Sequence, residues 1–126
     1  MDHLEKQLVQ LGYENIVGKR LKPALEKNGD IVETFTDARK ALERFGEQHF
    51  DIVVSDIRMD DIDGLEVLEQ VVARSERTKV IIITGYATVE VAQEALVKGA
   101  FDFIAKPFKP DDLRKIIEKA AKELDK

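Results

Sequence analysis

Three polar residues follow three of the predicted β-strands, and their side chains are of the types that act on phosphoryl groups. Asp56 directly follows the apolar run DIVVS, Thr84 ends the run VIIIT, and Lys106 directly follows FDFIA. Ligands of open parallel sheets bind beyond the carboxyl ends of the strands. If these strands are close neighbours in one sheet, with a spacing of about 4.8 Å, the carboxylate, the hydroxyl and the ammonium converge on one crevice.

Two interpretations of this trio stay open on residue types alone. In the first, Asp56 and Lys106 form a salt bridge at the rim of the sheet, with Thr84 as a turn residue beside it. In the second, the carboxylate accepts a phosphoryl group. The lysine and the hydroxyl then stabilise the phosphoryl oxygens, and a Mg²⁺ ion neutralises the remaining charge.

Short apolar runs alternate with longer amphipathic runs from residue 31 onward, and this pattern defines the elements that position the trio. We predict strands at 31–35, 51–55, 80–84 and 101–105. The second and third are apolar throughout, as expected of strands covered on both faces. Strand–helix alternation of this kind implies right-handed crossovers and a parallel sheet with helices on both faces.

Four helices are predicted from apolar residues spaced i, i+3, i+4 and i+7. Thr36 caps the first, the second spans 64–74, the third spans 88–98, and Pro110 opens the last, which runs to 125. Gly99 occupies the position after a helix where a positive φ is needed. The residues predicted to face inward are Ala38, Ala41, Leu42 and Phe45; Leu65, Leu68, Val71 and Val72; Val89, Ala92, Ala95 and Leu96; and Leu113, Ile116, Ile117, Ala120, Ala121 and Leu124.

The first thirty residues leave two alternatives open. If the alternation of strands and helices extends to the N-terminus, the run QLVQL at 7–11 is a first strand. The helical spacing of Leu4, Leu8 and Leu11 favours instead a helix over residues 3–11. Residues 21–28 resemble the end of a helix that Gly29 terminates.

Composition excludes several classes of protein. The chain has 126 residues, 44% hydrophobic and 36% charged, which fits one globular domain rather than a disordered chain. It has no cysteine and no apolar run of membrane-spanning length. A net charge of −5 argues against a nucleic-acid surface. We therefore expect a cytoplasmic protein that contacts neither membrane nor nucleic acid directly.

Three segments together resemble the receiver domain of response regulators in two-component signalling. They are FDIVVSDIRMDDIDGLEVL, VIIITGYAT and KGAFDFIAKPF, and they are most similar to receivers of nitrogen-regulator-type transcriptional activators. The resemblance spans roughly residues 31–125. It implies that residues 1–126 form one receiver domain with an atypical segment at 1–30. The implied fold is α/β: a doubly wound, five-stranded parallel sheet of the (βα)5 flavodoxin-like type.

The resemblance also implies a role for each residue of the trio. Asp56 is the phosphoacceptor and a Mg²⁺ ligand, Lys106 contacts the phosphoryl group, and Thr84 is the switch hydroxyl. Phe103 takes the position of the switch aromatic residue. The partner implied is a sensor histidine kinase, and the chain is a phosphorelay signalling module rather than an enzyme acting on an external substrate.

Further positions follow from the same resemblance. The main-chain carbonyl of Arg58 is a Mg²⁺ ligand, Arg58 and Tyr86 tune the lifetime of the aspartyl phosphate, and the Lys106–Pro107 peptide bond is cis. The face formed by helix 88–98, strand 101–105 and helix 110–125 is the expected homodimer interface. An effector domain is not present in these residues.

The sequence departs from the receiver pattern at the end of the first strand, where receivers carry two acidic residues. The corresponding residues, 11–14, read Leu-Gly-Tyr-Glu, so Glu14 alone can supply a carboxylate. Mg²⁺ usually takes one or two protein carboxylates together with waters and phosphate. Three explanations remain: a degenerate receiver that signals without phosphorylation, a site in which Glu14 and waters suffice, or a displaced N-terminal segment.

Overall fold

Five strands and four helices make up the part of the chain that the structure describes. The structure is a computed structural model, and it describes residues 7–11, 23, 26–27, 31–35, 38–56, 64–84, 89–105 and 108–124. The strands are β1 (Gln7–Leu11), β2 (Ile31–Phe35), β3 (Ile52–Asp56), β4 (Lys79–Thr84) and β5 (Asp102–Ala105). The helices are α1 (Ala38–Glu47), α2 (Gly64–Arg74), α3 (Val89–Val97) and α4 (Pro110–Leu124).

All neighbouring strands pair in parallel, in the order β2-β1-β3-β4-β5. This order is that of doubly wound sheets of the flavodoxin type, in which the chain reverses its direction of winding beside the first strand. The predicted fold class is therefore confirmed. The strand bounds differ from the predicted ones by one residue at most, and the shift of β3 places Asp56 inside the strand as its last residue.

The structure decides between the two alternatives for the N-terminal segment. Gln7–Leu11 is a strand, paired with β2 on one side and with β3 on the other. The helix alternative for 3–11 is wrong, because two sets of ladder hydrogen bonds outweigh a weak local helical pattern in so short a segment. Most of the predicted helix at 21–28 lies outside the described residues; Pro23, Glu26 and Lys27 have helical geometry.

The two faces of the sheet bury separate hydrophobic clusters, because successive side chains of a strand point to opposite faces. Val53, Val80 and Ile82 pack on one face with the apolar sides of α1 and α2. Ile52, Ile81 and Ile83 belong to the other cluster, together with α4. This double cover explains why β3 and β4 are apolar without alternation.

The helix stripes are largely confirmed, with one correction. The buried residues from the predicted stripes are Ala41, Leu42, Phe45, Leu68, Val71, Ala95, Leu113, Ile117, Ala120 and Leu124. Leu65, Val72, Ile116 and Ala121 are partly buried against them. Val67, which we did not predict, is also buried. The side chains of Ala38, Val89 and Ala92 lie outside the described part, as does Thr36.

Leu96 is the correction: its predicted inward position is wrong, since it is 45% exposed. Helix α3 reads VEVAQEALV, so apolar residues lie around most of its circumference. Periodicity therefore selects no single face, and the contacts of the fold decide which residues are buried. The buried side is the one that carries Ala95.

Contacts outside the sheet ladder fix α1 and α4. The guanidinium of Arg44 in α1 donates two hydrogen bonds to Glu33 of β2, at 2.9 and 3.0 Å. This hydrogen-bonded carboxylate raises the pKa of Arg44 above its usual value. At the start of α4, the backbone amide of Lys109 donates to a carboxylate oxygen of Asp112 at 3.1 Å. Pro110 opens the helix as predicted.

The described residues contain no helix that is both long and apolar enough to cross a bilayer.

Candidate functional site

Asp56 stands at the carboxyl end of the central strand β3. Its backbone pairs with Ile83 of β4, and the three residues at the start of β3 (Ile52, Val53 and Val54) are almost fully buried. A strand held by neighbours on both edges and by packing on both faces has little freedom to shift. The backbone of Asp56 is therefore a fixed platform at the edge where ligands of such sheets bind.

Thr84 ends β4, one register position beyond Asp56 on the adjacent strand. Asp56 pairs with Ile83, and Thr84 pairs with Ala105 of β5. The Thr84 residue is only 1% exposed. Burying a hydroxyl is unfavourable unless it is hydrogen-bonded, so Thr84 requires a polar partner at this strand end.

The third member of the predicted trio, Lys106, lies outside the described residues. Its neighbour in the sequence, Ala105, is the last residue of β5 and pairs with Thr84. The structure thus brings the ends of β3, β4 and β5 together as three consecutive strands. This adjacency is the condition on which the predicted convergence depends.

Phe103 lies on β5 two residues before the strand end, and its backbone pairs with Ile82. Both side chains belong to the cluster on the α1–α2 face, where Phe103 is partly buried. Thr84 follows Ile82 by two residues and therefore shares its face of the sheet. Phe103 and Thr84 are thus diagonal neighbours on one face of the sheet.

The end of β1 is the edge at which the receiver pattern fails. Leu11, its last residue, pairs with Phe35 and with Ser55, one position before Asp56. The next residues in the sequence are Gly12, Tyr13 and Glu14. Strand β1, the neighbour of β3, therefore ends beside Ser55 and contains no carboxylate of its own.

The remaining predicted site residues lie outside the described part of the chain: Glu14, Arg58, Tyr86, Lys106 and Pro107. Their roles stay predictions, and so does the role of the Asp56 side chain. Within the described segments, no group of three or more His, Asp or Glu residues is arranged to hold a metal ion.

Ser55 is a residue of this region that the sequence analysis did not single out. It is buried to 0% exposure and pairs with Leu11 on one side and Ile82 on the other. Its register places it on the same sheet face as Val53, directly before Asp56 in the sequence. The signal in the sequence was a single hydroxyl closing an otherwise apolar run.

Comparison with known proteins identifies the family to which this arrangement belongs. The family model described as the response regulator receiver domain matches residues 14–118. Regulatory protein AtoC of Escherichia coli (strain K12) is 40% identical over 107 residues, which are 85% of this chain and 23% of AtoC. Transcriptional regulatory protein FixJ of Bradyrhizobium diazoefficiens is 38% identical over 101 residues, 80% of this chain and 49% of FixJ. The chain thus spans about a quarter to a half of these relatives.

Solved structures agree with the sequence comparison. A CheY-like receiver domain protein from Methanospirillum hungatei superposes with a TM-score of 0.88 at 29% identity, covering 97% of this chain and 98% of that one. The beryllofluoride-activated NtrC4 receiver domain dimer gives a TM-score of 0.85 at 30% identity, covering 94% and 98%. The chain belongs to the receiver domain family of two-component response regulators, whose common role is to accept a phosphoryl group.

Proposed function

We propose that this chain accepts a phosphoryl group on Asp56 from a sensor histidine kinase and that Thr84 and Phe103 convert this event into a change at a protein-interaction face. The observation that carries the proposal is the register at the carboxyl edge. Asp56, Thr84 and the residue before Lys106 end three consecutive parallel strands. Thr84 and Phe103 share one face of that sheet.

In the transfer step, a carboxylate oxygen of Asp56 attacks the phosphorus of a phosphohistidine. An oxygen–phosphorus bond forms, the nitrogen–phosphorus bond breaks, and the imidazole leaves with the bonding electron pair and takes up a proton. The Lys106 ammonium stabilises the charge on the transferring oxygens. The aspartyl phosphate then presents strong acceptor oxygens beside the strand end of β4.

The switching step uses the buried hydroxyl of Thr84. A phosphoryl oxygen offers this hydroxyl a charge-assisted hydrogen bond, which is stronger than a bond to a neutral acceptor. Movement of Thr84 towards that oxygen alters the space above Ile82 and therefore the packing of Phe103. The result is a population shift between two arrangements of one domain.

Mg²⁺ is the metal we propose for this site, with Asp56, the main-chain carbonyl of Arg58 and Glu14 as its protein ligands. All three groups offer oxygen, the ligand type that Mg²⁺ prefers, so the donor chemistry fits. When bound, the ion supplies positive charge against the phosphoryl oxygens. Because residues 11–14, where receivers carry their acidic pair, read Leu-Gly-Tyr-Glu, we expect binding to be weaker than in a receiver with both carboxylates.

Two further assignments tune the same site. We propose that Arg58 and Tyr86 set the lifetime of the aspartyl phosphate, because each comes two residues after a strand end of the candidate site, Asp56 and Thr84 respectively. We also propose that the Lys106–Pro107 peptide bond is cis. We place the whole activity in the cytoplasm, in a chain without cysteine.

The partner of the switched face is a second copy of the chain, bound through α3, β5 and α4. Two observations support this assignment: α3 exposes Leu96 and Val97 to solvent, and the related NtrC4 receiver structure is described as a dimer. The curated relatives are longer than this chain. We therefore infer that an effector domain acts together with it.

Intact-mass spectrometry after incubation with acetyl phosphate tests the proposal. We expect one phosphoryl adduct that requires Mg²⁺ and is absent in Asp56→Asn, because the substitution removes the nucleophilic carboxylate oxygen. Glu14→Gln should raise the Mg²⁺ concentration needed for half-maximal adduct. No adduct on a chain shown by circular dichroism to be folded would contradict the proposal.

A second candidate function is a degenerate receiver that binds its partner without phosphorylation. The observation that favours it is the end of β1 at Leu11, after which the sequence reads Gly-Tyr. Such a module is indifferent to Mg²⁺ and to acetyl phosphate. The same experiment therefore separates the two functions.

A further inference from the structure

The turn after α3 is held against α2 by two contacts of different kinds. The Nζ atom of Lys98 forms an ion pair with a carboxylate oxygen of Glu69, a residue of α2. Gly99 has a φ of +110°. A Cβ atom at this glycine would lie 3.2 Å from Cγ2 of Val72, the next turn of α2 beyond Glu69. We call this pair of contacts the α2–α3 latch.

Backbone hydrogen bonds make the turn rigid beneath the latch. The amide of Ala100 donates to the carbonyl of Ala95 at 2.9 Å, and that of Gly99 donates to the carbonyl of Leu96 at 3.1 Å. The amide of Phe101 donates to the carbonyl of Val80 in β4 at 2.7 Å. The carboxyl end of α3 is therefore joined to α2 by side chains and to the sheet by the backbone.

The latch adjoins the exposed apolar part of α3. Leu96 is 45% exposed and Val97 is 86% exposed, and these are the two large hydrophobic side chains left exposed in the part of the chain that the structure describes. Both precede Lys98 directly in the sequence. The position of this apolar patch is consequently set by the latch.

The opposite end of α3 leads to the candidate site. Helix α3 begins at Val89, five residues after Thr84. One short helix therefore joins the switch hydroxyl at its amino end to an exposed apolar patch and the latch at its carboxyl end. A displacement that starts at Thr84 must work against the latch in order to move the whole helix.

We propose that Glu69 and Lys98 are positioning residues that hold α3 in the arrangement described here and oppose its displacement by phosphorylation of Asp56; this inference rests on the proposed function. The latch consists of contacts between protein groups alone, so it favours this arrangement whatever the state of Asp56. Phosphorylation adds contacts that favour the other arrangement. The two effects therefore compete for the position of one helix.

The expected size of the effect follows from the exposure of the pair. The side chains of Lys98 and Glu69 are 34% and 50% exposed, and ion pairs of this kind are weak in water. Removing the pair should change the equilibrium between the two arrangements by about 1.5- to 5-fold. A change of this size shifts the populations measurably when both arrangements are present. It is too small to unfold the domain.

NMR spectroscopy of the full 126-residue chain tests the inference. The amide signals of Leu96 and Val97 are followed during titration with beryllofluoride, a phosphoryl mimic, in the presence of Mg²⁺. The variants are Glu69→Gln, Lys98→Gln and the charge-exchanged double variant Glu69→Lys with Lys98→Glu. Glu76→Gln and Lys40→Gln serve as controls, because each removes one exposed charge outside the latch and outside the face formed by α3, β5 and α4.

We expect both single latch variants to move these signals towards their mimic-bound positions before any mimic is added. By linkage, the same variants should lower the half-saturating mimic concentration by about 1.5- to 5-fold. The charge-exchanged double variant should return both quantities towards wild type, whereas the controls should leave them unchanged.

Three outcomes contradict the inference while the proposed function stands: single variants that behave as wild type, a half-saturating concentration that rises, or an exchanged pair that restores nothing. A wild-type chain whose signals do not respond to saturating mimic, while a folded spectrum persists, overturns the proposed function and the regulatory role of the latch together. The response of the wild-type chain thus separates the two failures.

Discussion

At the scale of single residues, the site depends on polar groups placed where packing otherwise favours aliphatic side chains. Thr84 follows four valine and isoleucine residues in β4, and Ser55 precedes Asp56 in β3; both are almost completely buried. Valine would fill either position at lower cost, because it has no hydroxyl to desolvate. Two hydroxyl groups therefore stand at buried strand positions next to that of Asp56.

Thr84→Ala should separate phosphorylation from signalling. We expect the variant to accept phosphate from acetyl phosphate, because Asp56 is unchanged, but to lose the shift of the Phe103 signals on phosphorylation. Loss of a buried hydroxyl should also cost about 1–3 kcal/mol of unfolding free energy, because its partner is left unsatisfied. Thr84→Ser, which keeps the hydroxyl, is the matched control. A full Phe103 response in Thr84→Ala, measured by NMR with mass spectrometry in parallel, would remove Thr84 from the switch.

At the scale of elements, glycine should have opposite effects on stability at two positions, one within helix α1 and one in the turn after helix α3. Gly46 lies in α1 with nothing within 4 Å of a Cβ atom built on it. Gly99 terminates α3 at a φ of +110°, with Val72 close to the corresponding position. The difference lies in backbone conformation and in the space around each glycine.

Substitution of these two glycines by alanine should therefore change stability in opposite directions. Gly46→Ala should raise the free energy of unfolding by about 0.5–1 kcal/mol, because alanine loses less backbone entropy in a helix. Gly99→Ala should lower it by about 1–2 kcal/mol, because an L-residue is strained at positive φ. Urea unfolding followed by circular dichroism measures both. If the two substitutions changed the free energy of unfolding equally, the turn after α3 would be able to accommodate alanine without strain.

At the scale of the whole molecule, the length of helix α3 separates the candidate site from the exposed surface that we propose responds to it. The strand ends of the candidate site lie at the carboxyl edge of β3, β4 and β5, whereas the exposed patch of Leu96 and Val97 lies at the far end of α3. Packed layers transmit a displacement as movement of whole elements, because their interiors are as dense as organic crystals. Helix α3 is the element that joins the two places.

Val97→Asp should weaken self-association of the activated chain. Val97 is the most exposed large hydrophobic residue described, so the substitution leaves the fold intact. A carboxylate at the centre of an apolar contact should raise the dissociation constant of the beryllofluoride-bound dimer by about 10-fold or more. Analytical ultracentrifugation measures this change, with Val97→Ala as the milder comparison. An unchanged dimer would place the interface on another face.

Local sequence patterns alone determined a large part of this protein. The β-branched runs of β3 and β4 could be assigned because an unbroken apolar segment bounded by polar residues has few other structures available to it. The positions of Asp56 and Thr84 at strand ends followed from the same runs, and Gly99 could be assigned because few other residues tolerate its φ. These features are encoded within a few residues of one another.

Tertiary structure alone decided the rest. The segment QLVQL is compatible with a strand or with a helix. It forms a strand because it pairs with β2 on one side and with β3 on the other. Leu96 is exposed because α3 is apolar on most sides and the fold buries the side of Ala95. Glu69 and Lys98 lie 29 positions apart and meet only when α2 and α3 pack on one face of the sheet. Contacts between distant segments depend on the packing of the whole chain, which no local pattern encodes.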